Sequence, residues 1–144
     1  MSNARTHARR FIVQALYQWH MTEQNIADIE NEFLALHDSS KVDITYFREC
    51  LHAIPGKLDE LEACFTASLD RPLKEVDPVE LAILRLGTYE LAHRLDIPYR
   101  VVINESVQLA KRFGAEDGYK YINSVLDGVA ATLRDTEVKA HKSQ

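Results

Sequence analysis

The chain has 144 residues, 46% of them hydrophobic and 27% charged, with a net charge of −5. That length suits one domain or two small subdomains sharing a core, and the composition is that of an ordinary globular protein. The acidic total argues against a non-specific nucleic-acid binder but permits a local basic site.

The charge is unevenly spread. Residues 1–20 carry three arginines and no acid, residues 21–80 fourteen acids and five bases, and residues 81–144 nine bases and eight acids. Met1–Ala4 is expected to be disordered, and no apolar run follows the basic start, so no signal peptide is expected. A helix is predicted over Arg5–His20, with Phe11, Ile12, Ala15, Leu16 and Trp19 on its apolar face. Opposite lie Thr6, Arg10, Gln14 and Tyr17, whose spacing stacks them on one stripe, flanked by Arg9 and Val13. Arginine pairs with phosphate, glutamine reads a base edge and tyrosine offers a stacking face. The plainer alternative is a solvated face with Tyr17 half-covered by a neighbouring helix, and the residues alone leave it open.

Asn25 with Asp28 starts a second helix carrying Ile26, Ile29, Phe33 and Leu36. Asp43 can cap a third, with Phe47, Leu51 and Ile54, which Pro55-Gly56 should break. A fourth places Leu58, Leu61, Phe65 and Leu69 inward, and residues 70–76 form a connector. Asp77 then opens DPVELAILRLGTYELAHRL with a strong start signal: an N-cap acid, Pro78 at the first helical position and Glu80 at the capping-box position. Its apolar residues point in nearly every direction, so this helix must be covered all round and belongs at the centre. Its charges exclude a membrane span. A sixth helix runs over about Arg100–Phe113, buries Val102, Ser106, Leu109 and Phe113, and ends at Gly114 as a C′ residue. Glu116 or Asp117 can cap the last helix, which buries Ile122, Val125, Leu126, Val129 and Leu133. The remainder, residues 135–144, is expected to fray.

No catalytic constellation is present. The histidines lack metal-ligand spacing, there is no C-x-x-C, and no phosphate-cradling glycine loop or dinucleotide fingerprint appears. The expectation is a protein that is not an enzyme, with no cofactor and no metal. Cys50 and Cys64 fit buried small hydrophobes in a reducing compartment, which makes the cytoplasm the default. Arg85 on the central helix reads most simply as a snorkelling or paired arginine. If the first, fifth and sixth helices met, it could instead line a groove with the basic residues.

Three runs carry a resemblance: ARRFIVQALYQW, VELAILRLGTYEL and, most specifically, IPYRVVINESVQLAKRFGAEDGYKYINSVLDGV. Over essentially Arg5–Leu133 the chain resembles the NusB family of bacterial transcription antitermination factors. Ser124 stands where the family often has glycine, and Thr6 where it often has a basic residue. The resemblance implies an all-α fold of about seven helices in two packed helical bundles within a single compact domain. In this chain that means an N-terminal helical subdomain over 5–69, the connector at 70–76 and a C-terminal subdomain over 77–134.

The resemblance further implies recognition of boxA RNA in ribosomal RNA transcripts, together with the ribosomal protein NusE. Other Nus factors and RNA polymerase complete the antitermination complex. The implied RNA-binding residues are Arg5, Arg9, Arg10, Gln14 and Tyr17 on the first helix, with Lys111 and the stretch Asp117–Lys120, from which Asp117 and Lys120 are singled out. Asp117 reads either as a helix cap or as an acceptor for a base or ribose donor. The implied NusE-facing residues are Met21, Glu75 and Glu80. The competing reading is a helical protein-interaction module, or a homodimer, without a sequence-specific RNA role.

Overall fold

The computed structural model of the chain describes residues 3–143. These residues form eight α-helices and no strand: α1 (Ala4–Thr22), α2 (Ile26–Leu36), α3 (Ile44–Ala53), α4 (Leu58–Phe65), α5 (Pro78–His93), α6 (Tyr99–Phe113), α7 (Gly118–Leu133) and α8 (Asp135–Lys142). Short 3-10 turns cover Ile54–Lys57, Thr66–Ser68 and Leu73–Glu75. The expected disorder of Met1–Ala4 lies partly outside the described residues. Within them, Ala4 already begins α1, and its carbonyl accepts the Asp43 N–H at 3.0 Å.

The chain divides into two compact units, Met1–Lys57 and Leu58–Gln144. The expected connector at 70–76 falls inside the second unit. The reason is α4, which packs against α5 and α7 and so joins the helices that follow it.

In the first unit α1 packs on α2 and α3. The expected caps form: Asn25 Oδ1 accepts the Ala27 N–H at 2.8 Å, and Asp43 Oδ1 accepts the Tyr46 N–H at 3.0 Å. Each satisfies a backbone donor that the helix start would otherwise leave free. Ile12, Leu16, Ile29, Phe47 and Leu51 are fully buried. Phe11 meets the rings of Phe33 and Phe47, each at 5.7 Å, in the tilted and edge-on geometries that aromatic quadrupoles favour. Across the polar side, Glu30 of α2 accepts from Arg48 Nε at 3.0 Å and is hydrogen-bonded to His52, both on α3. Burial pushes the Glu30 carboxyl upward, but His52 and Arg48 outweigh it and its pKa is lowered.

In the second unit α5 is buried without interruption from Glu80 to Leu91 and lies among α4, α6 and α7. This is the central position that its all-round apolar pattern requires. Asp77 Oδ1 accepts the N–H groups of Val79 and Glu80, at 2.9 and 3.3 Å. At Gly87 an added Cβ would lie 2.9 Å from Leu126 Cδ1 and 3.0 Å from Ser106 Oγ, so glycine lets α6 and α7 close onto α5. Arg85 is buried and pairs with Glu62 at 3.1 Å, which removes it from any groove.

The tail, expected to fray over 135–144, is helical over Asp135–Lys142, and Gln144 lies outside the described residues. Arg134, itself buried, donates from Nε to the Leu91 carbonyl at 2.8 Å and from Nη2 to the carbonyls of Glu90 and Arg94, at 3.2 and 3.0 Å. Its Nη1 donates to the Ile97 carbonyl at 3.0 Å and to Glu137 Oε1 at 2.7 Å. One guanidinium therefore donates to carbonyls at the end of α5 and in the turn after it, and ties down the first turn of α8. Glu137 Oε2 in turn accepts the Tyr99 N–H at the start of α6, at 2.8 Å.

Candidate nucleic-acid interface

On α1 the residues turned inward are Ala8, Arg9, Ile12, Val13, Ala15 and Leu16. Arg9 and Val13, expected to flank an outward stripe, are thus buried, and Arg9 is only 4% exposed. The physical reason is that α1 is covered by two helices, so its buried arc is wider than its apolar residues alone suggest. The guanidinium of Arg9 lies 5.7 Å from the centroid of the Tyr46 ring, and that of Arg5 lies 4.3 Å from it. Both fit cation–π contacts. Arg5, half-exposed, also reaches Asp43 Oδ2 at 3.8 Å.

The outer ridge of α1 carries Arg10, Gln14 and Tyr17. Arg10 Nη1 lies 3.4 Å from His7 Nδ1, and no carboxylate pairs with Arg10 among the described residues. Gln14 turns its amide N–H back to the Arg10 carbonyl at 3.1 Å. Tyr17 is 37% exposed, so its ring is offered to solvent rather than sealed under a neighbour. A shallow depression of about 420 Å³ opens beside the start of the helix, lined by Asn3, Ala4, His7, Ser40, Lys41 and Val42.

In the second unit the junction of α6 and α7 gathers the other expected residues. Lys111 Nζ lies 4.7 Å from the Tyr119 ring centroid and Lys120 Nζ 6.0 Å from it. Asp117 Oδ1 lies 3.6 Å from Lys120 Nζ, both side chains largely exposed. Lys111, Asp117 and Lys120 therefore come together, with both ammonium groups near the Tyr119 ring.

Tyr119 lies inside the stretch that the resemblance implied, but a search led by charge passes over an uncharged ring. The signal was its place directly before Lys120, in the first turn of a helix. Tyr46 is overlooked for the same reason. Nothing in the spacing of α1 says that two of its arginines stack on a ring from α3.

Asp117 occupies the N-cap position of α7, yet its side chain makes no capping hydrogen bond. Its φ of 66° is left-handed, whereas a capping side chain needs extended backbone to reach the free N–H groups ahead of it. Its carboxylate pairs with Lys120 instead. Gly114 also differs from expectation. Its φ is −88°, so it is not a left-handed C′ residue. What requires glycine there is the Ala110 carbonyl oxygen, 2.8 Å from where a Cβ would stand.

Of the expected protein-facing residues, Met21 is 55% exposed and Glu75 is exposed in its 3-10 turn. Glu80 is not on the surface: it is 6% exposed. Its carboxylate has swung away from the capping-box position and lies against the first residue of α7, with Oε2 2.5 Å from where a Cβ on Gly118 would be. Burial raises its pKa. Asp77 adds to that rise, and Arg71 opposes it.

Two ammonium groups around an aromatic ring can hold a phosphate and leave a ring face for an unstacked base. No cluster of three His, Cys, Asp or Glu residues that could hold a metal occurs among the described residues, and no helix there is long and apolar enough to cross a membrane. Fold and site together define an all-α protein whose exposed cations gather beside aromatic rings. The chain belongs to the NusB family, whose model matches residues 6–131.

Among similar proteins, the transcription antitermination protein NusB of Pseudomonas putida is 51% identical, over 98% of this chain and 85% of its own length. That of Marinobacter nauticus is 53% identical, over 94% of this chain and 85% of its own. A solved structure of T. maritima NusB superposes with a TM-score of 0.81 at 26% identity, covering 96% of this chain and 99% of that one.

Proposed function

We propose that this protein is a cytoplasmic transcription antitermination factor that binds boxA RNA of ribosomal RNA transcripts together with the ribosomal protein NusE. The pair joins other Nus factors on RNA polymerase and suppresses premature termination. The observation that carries the reading is the cluster at the α6–α7 junction, where Lys111 and Lys120 flank Tyr119. Arg10, Gln14 and Tyr17 on the ridge of α1, with Arg5 at its start, form the second set of RNA contacts. Phosphates pair with the cations, and bases stack on the exposed rings. Arg9, being buried, supports the ridge from beneath rather than touching RNA. The function is recognition, with no covalent step.

Exposed Met21 and Glu75 belong to the NusE-facing surface, and the excess of acids over residues 21–80 suits a basic ribosomal protein. With few free cations, the protein alone binds RNA weakly. NusE supplies a second, linked site that multiplies the affinity. Filter binding of boxA RNA against a scrambled RNA, with and without NusE, tests this. Preferential retention of boxA, strengthened by NusE, is expected. Equal retention of both RNAs refutes the reading and leaves the protein-interaction module in its place.

A further inference from the structure

The start of α7 lacks the devices that usually fix a helix N-terminus. Asp117 makes no capping hydrogen bond, and the first turn of α7 contains no acid. The positive end of the helix dipole lies there, and the N–H groups of Gly118 and Lys120 donate to the carbonyls of Ala115 and Asp117, at 3.0 and 3.1 Å. The Glu80 carboxylate of another helix, α5, is seated against Gly118 at this end. Gly118 is itself buried, and only a residue without a Cβ admits the carboxylate so closely. The Glu80 side chain makes no hydrogen bond among the described residues, so it does not serve α5 as a capping-box partner. What fixes this mostly buried side chain is therefore its packing against Gly118. The residues immediately after Gly118 are Tyr119 and Lys120.

We propose that Glu80 is a positioning residue for the α6–α7 turn, holding the first residue of α7 so that Tyr119 and Lys120 keep one fixed orientation beside Lys111. The proposal rests on the RNA-binding reading above for its functional consequence. Glu80 does not touch RNA. It acts through the backbone of Gly118 on the two residues that do. The region around Glu80 also holds Arg71, whose guanidinium stacks 4.2 Å from the Tyr121 ring one residue beyond Lys120. Glu80 of α5 and Arg71 of the stretch before it thus meet α7 at Gly118 and at Tyr121.

The test combines amide resonances of the free full-length protein with titration of a boxA-sequence oligonucleotide. Glu80→Ala should shift the Tyr119 and Lys120 resonances and weaken RNA binding about fivefold. The same substitution in a Lys120→Ala background should weaken binding no further, because the residue it positions is gone. Gly118→Ala puts a methyl group where the carboxylate lies. The obstructed atom ends a rotatable side chain, so the variant folds with the carboxylate displaced. It should shift the same resonances, and its effect should vanish when Glu80→Ala is also present. Glu80→Gln keeps the side-chain volume and provides a folded variant should Glu80→Ala unfold.

Unmoved Tyr119 and Lys120 resonances in Glu80→Ala or Glu80→Gln would overturn the proposal. So would a loss of affinity that adds fully to that of Lys120→Ala, the signature of general destabilisation. If the wild-type protein binds no oligonucleotide, the RNA reading fails, and the resonances of the free protein still decide whether Glu80 holds the turn.

Discussion

Arg9 and Arg10 are neighbours in sequence with opposite fates. Arg9 lies under the surface near Tyr46, while Arg10 stays on the ridge without a carboxylate partner among the described residues. Arg9→Ala should therefore destabilise the fold by roughly 2 kcal/mol, the scale of a lost buried polar contact. Arg10→Ala should stay within about 0.5 kcal/mol of wild type and instead weaken RNA binding. Thermal melts of the two variants beside RNA titrations check this pair, and equal melts would refute the assignment. Asp117 competes for Lys120 and places a negative charge beside an incoming phosphate. Asp117→Asn frees the ammonium and removes the repulsion, so it should tighten RNA binding, most clearly at low salt. Weaker binding would mean that the carboxylate accepts a hydrogen bond from a base or ribose.

At the scale of elements, α8 depends on one side chain. Arg134→Ala would take a donor from four backbone carbonyls, of which those of Glu90 and Arg94 keep a backbone N–H, and would release Glu137. The expected loss is about 3 kcal/mol, measured by urea unfolding, with early hydrogen exchange along 135–142. Undiminished protection there would contradict the role given to Arg134. Glu137 adds a pH dependence. Burial pushes its carboxyl up, but the Tyr99 N–H and Arg134 outweigh it, and its folded pKa lies below the ordinary glutamate value. Its stabilisation is thus fully present above that ordinary value and is lost as pH falls through the lowered one. Glu80 has the opposite sign. Its raised pKa means stability is greatest below the ordinary value and declines as pH rises through the folded one. Acid unfolding should be less steep in Glu137→Gln than in wild type. Glu80→Gln should remove a loss of stability on the way from acid to neutral pH.

The elements were largely legible in the sequence. Asn25, Asp43 and Asp77 are local signals, and the structure uses each as a cap. The central place of α5 followed from an apolar pattern with no polar side. What the sequence concealed were relations between distant residues. Nothing near Arg134 announces that the carbonyls it caps belong to residues 90–97, so the tail reads as polar and loose. Glu80 carries the spacing of a capping box, and only the structure shows its carboxylate seated against Gly118 of another helix. The candidate site divides in the same way: Arg10 was singled out by the spacing of α1 and Lys111 and Lys120 by the family resemblance, whereas the contacts with the rings of Tyr46 and Tyr119 came from the fold.

For the molecule as a whole, a net charge of −5 has to accommodate the proposed binding of a polyanion. That is possible only if a small number of exposed cations does the work, which makes affinity salt-dependent in proportion to their number. The direct measurement is boxA RNA affinity of wild type and of Lys111→Ala/Lys120→Ala across a range of salt concentrations. The account predicts that the slope of log affinity against log salt falls by about 1.4 in the variant, near 0.7 for each lost contact to a single strand. Its melting temperature should match wild type. Identical slopes in two equally stable proteins would contradict it.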